Sequence, residues 1–163
     1  MILQYFKKKE NKYKIKSDKI YLNILKKSKL LMNKKYFNQI DFSVSFELIC
    51  ILLIFYLKFL KDKEIVFNKR VNEELMKNLV NDLDKSLRDA GISDMSIGKY
   101  VKGYVKKFYY RLKILDPIFE NDNYEELLNY LNSLTFVNKN NSNELVNQLS
   151  EYFMQIKNNN EWN

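Results

Sequence analysis

The sequence predicts an all-α fold: a single-domain helical bundle of about five to six helices around a central apolar helix. Three glycines, one proline and one alanine in 163 residues are too few turn formers for a fold of many short strands. Hydrophobic residues make up 46% of the chain, and they recur at spacings of three and four along most predicted helices. A chain of this length can bury a proper core.

The first predicted elements are a basic arm and a helix. Residues 1–17 alternate lysine with aromatic side chains, a pattern that we interpret as a flexible arm. Asp18 is a favourable N-cap residue, so the first helix is predicted to begin after it. Residues 33–40 are predicted to form a loop, with Tyr36, Phe37 and Ile40 packing beneath it.

The second predicted helix, residues 44–60, is apolar nearly all round, which is typical of a helix at the centre of a bundle. Its longest apolar run, residues 48–57, is ten residues long and lies between Glu47 and Lys58. A membrane span needs about 20 apolar residues, so a buried core helix is favoured. Cys50 is the only cysteine, which excludes a disulfide framework.

The third helix is predicted over residues 66–89, with Gly91 at the C′ position that ends it. A link of residues 92–96 follows. The fourth helix then begins near Ile97, and Pro117 ends or bends it. The apolar stripe of the third helix is Val71, Leu75, Leu79, Val80, Leu83 and Leu87.

Two shorter amphipathic helices are predicted over residues 124–134 and 144–156, with the asparagine-rich link 138–143 between them. Residues 158–163 are predicted to be a disordered tail. Residues 18–157 thus form the predicted helical domain.

The positive charge is concentrated near the N-terminus. Residues 1–40 hold twelve lysines against two acidic residues, whereas residues 41–163 hold sixteen basic and eighteen acidic residues. A basic segment indicates an anionic partner such as RNA or lipid headgroups. The alternative is a solvated face produced by codon bias, since 25 of the 28 basic residues are lysine.

The composition argues against an enzyme. The chain has no histidine, the commonest general base and metal ligand. A single cysteine cannot build a zinc site, and three glycines cannot supply a phosphate-binding loop. We therefore expect a binding protein with no catalytic site, no metal site, no cofactor and no small-molecule substrate.

The most informative stretch is residues 82–111, where two predicted helices meet at a charged corner. Gly91 fits a helix C-cap, and Asp94 is either an N-cap or a contact residue. Arg88 and Arg111 stand in a chain that uses lysine almost everywhere else, which indicates a planar hydrogen-bonding role. That role is either partner binding or an internal clamp, and both readings stay open.

This stretch resembles the signature of the ubiquinol–cytochrome c chaperone family. Upstream, Asp41 and the pair Phe46 and Glu47 resemble the family's pattern before its central helix. In that pattern, Ser45 replaces the arginine before Phe46. The family's usual histidine in the apolar helix is absent. At the corner, Ser93 and Tyr110 replace glycines. The matches in the stretch are Asp84, Leu87, Arg88, Asp89, Gly91, Ile92, Asp94, Ile97, Gly98, Lys99, Phe108, Tyr109 and Arg111.

The resemblance implies an assembly chaperone that binds newly made cytochrome b for ubiquinol–cytochrome c reductase. It also implies contact with the ribosomal tunnel exit or an anionic membrane surface, and leaves room for an unknown partner subunit. The expected location is the bacterial cytoplasm, including the inner face of the membrane, with the mitochondrial matrix as an alternative. Candidate partner-binding residues are Asp84, Arg88, Asp89, Asp94, Lys99, Tyr109 and Arg111, and candidate turn residues are Gly91 and Gly98.

Shielding a client requires an exposed apolar or aromatic patch beside charged groups. Tyr100, Tyr109 and Tyr110 are candidates for this patch, whereas Tyr104 lies on the predicted buried stripe. The alternatives are a basic RNA- or ribosome-binding module and a peripheral membrane protein anchored by residues 1–17.

Overall fold

The fold is an all-α bundle, as predicted. The computed structural model describes residues 2–61 and 65–158, and among these the side chains of residues 12–60 and 65–158. The described residues form α1 (Ile2–Leu31), α2 (Phe42–Lys61), α3 (Ile65–Asp89), α4 (Asp94–Glu120), α5 (Tyr124–Ser133) and α6 (Ser142–Asn158). A 3₁₀ turn, Lys139–Asn141, precedes α6.

α2 is the centre of the bundle. Every described side chain from Phe46 to Tyr56 is buried, so α2 has no solvent face over three turns. The stretch Phe42–Leu60 is long and apolar enough to cross a membrane, with a mean hydropathy of 2.1, but 72% of its most apolar part is buried by the other helices. The core helix of a bundle has this same composition.

α1 and α4 lie on opposite sides of the pair formed by α2 and α3, and each packs against both. α1 runs parallel to α3, because Asn78 donates to Asp18 over 3.0 Å and Tyr21 donates to Asp82 over 2.9 Å. α6 closes the end of α2, where the rings of Phe55 and Phe153 stack with centroids 3.9 Å apart.

The predicted start of the first helix after Asp18 is wrong, since α1 begins at Ile2. The helix continues through the lysine-rich segment because its buried stripe does. Tyr13 and Ser17 are both buried, and the Tyr13 ring lies 5.1 Å from the ring of Phe67. Lysine is also a good helix former. The division into an arm, a domain and a tail stays a prediction, and residues 159–163 of that tail lie outside the described residues.

Pro117 lies inside α4 and does not end it. The last turn stays attached because Ile118 and Phe119, which follow the proline, are both buried. Asn121 caps the turn by donating its backbone N–H to the Pro117 carbonyl over 3.2 Å. The missing proline N–H therefore costs one helical hydrogen bond without breaking the helix.

The loop after α1 pairs with the asparagine-rich segment before α6. The backbone N–H of Asn38 donates to Phe136, and that of Asn138 donates to Tyr36, over 2.9 and 2.8 Å. Tyr36 and Phe37 are buried beneath the loop, as predicted, whereas Ile40 is 41% exposed. Its predicted packing is therefore wrong.

Candidate partner-binding surface

The corner between α3 and α4 turns on Gly91. Its φ of +90° is a conformation that L side chains rarely adopt. The Gly91 N–H donates to Arg88 and the Ile92 N–H donates to Leu87, over 2.9 and 3.1 Å. These two bonds form a Schellman motif, so the predicted C-cap role of Gly91 is confirmed.

Arg88 holds the two helices together across this corner. Its Nε lies 2.6 Å from an oxygen of Asp84, one turn earlier, and its Nη1 pairs with Asp94 at the start of α4. Asp94 is a contact residue and not the N-cap, which is Ser93. The Arg88 and Asp94 side chains are 43% and 86% exposed, so this clamp is in water.

Arg111 forms a second clamp, from α4 to α2, inside the fold. Its Nε and Nη2 approach one oxygen of Glu47 at 2.8 and 2.7 Å. The other Glu47 oxygen accepts a hydrogen bond from the hydroxyl of Tyr130 on α5. The guanidinium also lies 5.3 Å from the ring centroid of Phe46. Three helices are therefore joined through one carboxylate.

Burial sets the chemistry of this second clamp. Glu47 is 1% exposed, and a buried carboxylate needs both a counter-charge and hydrogen bonds. Burial and the neighbouring Glu47 raise the pKa of Tyr130 above its usual value. Burial lowers the pKa of Arg111 and the hydrogen bond to Glu47 raises it, with a net rise. Both donors thus keep their protons.

The candidate residues therefore do not form one site. Asp84, Arg88 and Asp94 meet at the corner, and Asp89 is exposed beside them. Arg111 lies with Glu47. Gly98 lies inside α4, so its assignment to the turn is wrong; its place on the exposed side of a helix puts no strain on the backbone. Lys99 and Tyr109 remain on the exposed side of α4.

That exposed side is a continuous strip, which we call the α4 outer face. Apart from the adjacent pair Tyr109 and Tyr110, its members follow one another at spacings of three and four residues, which keeps them on one side of the helix. No acidic residue occurs between positions 95 and 115. The members, all exposed, are Met95, Lys99, Lys102, Lys106, Tyr109, Tyr110 and Lys113.

The predicted tyrosine patch is divided by the structure. Tyr109 and Tyr110 are 56% and 66% exposed and belong to the α4 outer face. Tyr100 is also exposed but is not a member of this face. Tyr104 packs edge-on against the rings of Phe42 and Phe46, with centroids 5.2 and 5.0 Å away. Its predicted place on the buried stripe agrees with this packing.

The departure at Ser45 also has a structural correlate. Ser45 lines a cavity of about 60 Å³ between α2 and α3, and Asp82 lines the same cavity. Asp82 already accepts a hydrogen bond from the hydroxyl of Tyr21.

Within residues 2–61 and 65–158 there is no group of three or more histidine, cysteine, aspartate or glutamate side chains that could hold a metal ion.

Sequence reasoning missed Tyr130. It follows Leu127 at the helical spacing of the α5 stripe, and a tyrosine at such a position needs a partner for its hydroxyl. That requirement was the available signal, but the partner, Glu47, lies 83 residues away in the chain.

The comparisons with known proteins agree with this architecture. Residues 39–156 match the family model described as ubiquinol–cytochrome C chaperone. The fold is similar to that in the crystal structure of the Cbp3 homolog from Brucella abortus, with a TM-score of 0.75 and 20% sequence identity. The similarity covers 99% of this chain and 91% of the other. No curated protein matches the chain significantly. Because the family model spans most of the sequence, the chain belongs to the ubiquinol–cytochrome c chaperone family.

Proposed function

We propose that this protein is an assembly chaperone for ubiquinol–cytochrome c reductase and that it holds newly made cytochrome b on the α4 outer face. Membership of the chaperone family supports the assembly role. The observation that carries the client surface is the pair Tyr109 and Tyr110, which are adjacent, exposed and surrounded by lysines.

The side chains of this face suit a client of apolar helices. Tyrosine offers an apolar ring and a polar hydroxyl, and the flexible thioether of Met95, which is 99% exposed, adapts to irregular surfaces. The methylene stems of Lys102 and Lys106 cover apolar surface while their ammonium groups stay in water. Such a surface shields a client reversibly and keeps the complex dispersed.

The protein acts in this proposal by binding alone, without a cofactor or a chemical step. The corner at Arg88 positions the start of α4, and the Arg111 clamp holds its middle against α2. Both clamps therefore act as positioning elements for the face, since they fix the helix that presents it.

The test is complementation of a deletion strain. Tyr109→Ser together with Tyr110→Ser should lower the amount of haem-loaded cytochrome b and of assembled reductase, while transcription of the subunits stays normal. The matched control is Ile65→Ser with Val66→Ser, which also removes an exposed apolar pair, but from the start of α3. Normal reductase in the deletion strain would refute the assembly role.

Client contact is tested separately from assembly. A photo-crosslinking residue at position 109 should capture newly made cytochrome b, and the same residue at position 65 should not. Equal capture at both positions would refute the α4 outer face as the client surface while leaving the assembly role intact.

A second candidate function is RNA or ribosome binding through the same face. Lysines beside exposed tyrosines are also the chemistry of single-strand binding, where bases stack on aromatic rings. This alternative predicts strongly salt-dependent retention on RNA that Tyr109→Ser and Tyr110→Ser abolish, together with normal cytochrome b in the deletion strain.

For location, we propose the bacterial cytoplasm, including the inner face of the membrane. Cell fractionation followed by an alkaline carbonate wash tests this location. Release of the protein by the wash is expected, because α2 is enclosed by the other helices. Retention after the wash would place α2 in the membrane instead.

A further inference from the structure

The outward side of α1 carries a second basic strip, which the client proposal does not use. From Ile15 onward its members follow at spacings of four and three residues, ending with the adjacent pair Lys29 and Leu30. All of them are exposed. We call these residues the α1 strip: Ile15, Lys19, Leu22, Lys26, Lys29 and Leu30.

Three of its six members are aliphatic and open to solvent. Ile15, Leu22 and Leu30 are 61%, 55% and 74% exposed. α1 already buries its other side, since Ile20 and Ile24 are at most 1% exposed. The helix therefore packs one apolar side against the core. Its outward side carries both lysines and aliphatic side chains.

Charge on this helix accounts for the net charge of the protein. α1 contains ten lysines and two acidic residues, so its formal charge is +8. This is the same as the net charge of the whole chain. Of the two acids, Asp18 accepts a hydrogen bond from Asn78 of α3 over 3.0 Å. No acidic residue occurs from Lys19 through Ile40.

We infer that the α1 strip docks on an anionic lipid bilayer. Binding to a membrane interface combines burial of apolar side chains with electrostatic attraction to anionic lipids, and the α1 strip exposes aliphatic side chains and lysines together. The aliphatic groups enter the acyl boundary, and the lysines pair with anionic headgroups. The charge of the strip complements that surface and repels a cationic one.

A lipid surface fits this strip better than RNA does. Binding to single-stranded RNA relies on aromatic or arginine side chains that stack on bases. Among the described side chains of α1, the aromatic residues Tyr13 and Tyr21 are buried, and the helix contains no arginine. Exposed aliphatic groups contribute nothing to phosphate contacts but contribute directly to bilayer binding.

The position of the strip lets it act together with the proposed function. α1 and α4 lie on opposite sides of α2 and α3, so a protein lying on a bilayer through α1 leaves the α4 outer face open. α1 also lies outside residues 39–156, the part that matches the family model. The lipid contact extends the client proposal but is tested without any client, so either can fail alone.

The experiment uses the full chain and vesicles of phosphatidylcholine alone or mixed with phosphatidylglycerol. Flotation should recover the protein with the mixed vesicles and not with phosphatidylcholine alone. Lys19→Gln, Lys26→Gln and Lys29→Gln together should weaken binding about a hundredfold, because each lysine near an anionic surface contributes roughly fivefold. Ile15→Ser, Leu22→Ser and Leu30→Ser together should abolish flotation, because the strip then has no aliphatic side chains to enter the acyl boundary.

The matched control removes the same charge from the opposite side of the bundle. Lys102→Gln, Lys106→Gln and Lys113→Gln together should leave flotation nearly unchanged. Circular dichroism should show that all three variants keep the helical fold. An equal loss in the control, no preference for anionic vesicles, or undiminished binding of the aliphatic variant would each overturn the inference. Single-stranded RNA binding that depends on the three α1 lysines but not on the aliphatic residues would do so as well.

Discussion

Arg88 and Arg111 both join α4 to a neighbouring helix through carboxylates, and they do so in opposite environments. The Arg88 side chain is 43% exposed and its partners lie nearby in the chain. The Arg111 side chain is 19% exposed, and its partner Glu47, 64 residues away, is enclosed by the core. The same side chain therefore serves as a solvated brace at the corner and as an obligatory counter-charge in the interior.

The comparison shows that the burial of the partner, and not the identity of the arginine, decides how much each clamp matters. A solvated ion pair contributes little, since water and salt screen it. Removing one member of a buried pair leaves a charge without compensation, which is strongly destabilising. A variant of Arg111 should therefore lower the free energy of unfolding far more than a variant of Arg88, although both arginines make several hydrogen bonds.

The largest effect is expected at the interior clamp. Arg111→Met should lower the free energy of unfolding by about 3–5 kcal/mol, because Glu47 would remain buried without a counter-charge. Urea denaturation measures this change. The double variant Arg111→Met with Glu47→Gln should recover much of it, since the buried charge is gone and Tyr130 keeps an acceptor. A double variant no more stable than Arg111→Met would contradict the charge explanation.

The next effect concerns the hydroxyl that completes the interior clamp. Tyr130→Phe should cost about 2 kcal/mol, the range for a hydrogen bond to a charged group. The folded chain holds the Tyr130 proton more tightly than the unfolded chain, because its pKa is raised above 10.0. This stabilisation is present below pH 10 and is lost as the pH rises through the folded pKa.

Measuring the free energy of unfolding at increasing alkaline pH distinguishes the hydroxyl proton of Tyr130 from those of the other buried tyrosines. Burial also raises the pKa of Tyr21 and Tyr56, so the parent protein should lose stability above pH 10. Tyr130→Phe should lose less over the same range. An identical alkaline slope in the variant and the parent would show that the Tyr130 proton is not linked to folding.

At the exposed corner, the backbone should matter more than the ion pair. Gly91→Ala should destabilise by about 1–2 kcal/mol, because alanine resists a positive φ. Gly98→Ala is the matched control, since a Cβ at either glycine would meet no atom within 4 Å. In the helical position it should stabilise by about 0.5–1 kcal/mol. Thermal melts that shift in the same direction for both variants would exclude the conformational explanation.

The smallest effect on stability is expected from Arg88→Lys. Lysine keeps the charge but cannot span Asp84 and Asp94 with a planar fork. The melting temperature should barely move, and the small difference should vanish in high salt. If client capture nevertheless falls, the corner is part of the binding surface as well as a brace. Unfolding as severe as that of Arg111→Met would erase the contrast between the two clamps.

The resemblance placed Arg88, Asp94 and Arg111 in one motif, but it did not distinguish their roles. Asp84 and Arg88 are one turn apart on one helix, so their pairing follows from helical spacing alone. Glu47 and Tyr130 are far from Arg111 in the chain, and no local pattern connects them. The α1 strip does not follow from the sequence alone, because the exposure of Leu22 and Leu30 depends on which side of α1 packs against α2 and α3.

The sequence by itself determined the elements that depend on local spacing: the existence of the helices, though not the start of α1 or the end of α4, the apolar character of α2, and the turn at Gly91. Periodicity and backbone preference act over a few residues, so they can be recognised without the rest of the chain. Only the tertiary structure decided which polar groups meet inside the bundle and which basic faces stay exposed. Those outcomes depend on how the helices pack around α2, and a buried charge such as Glu47 is satisfied only when three of them come together.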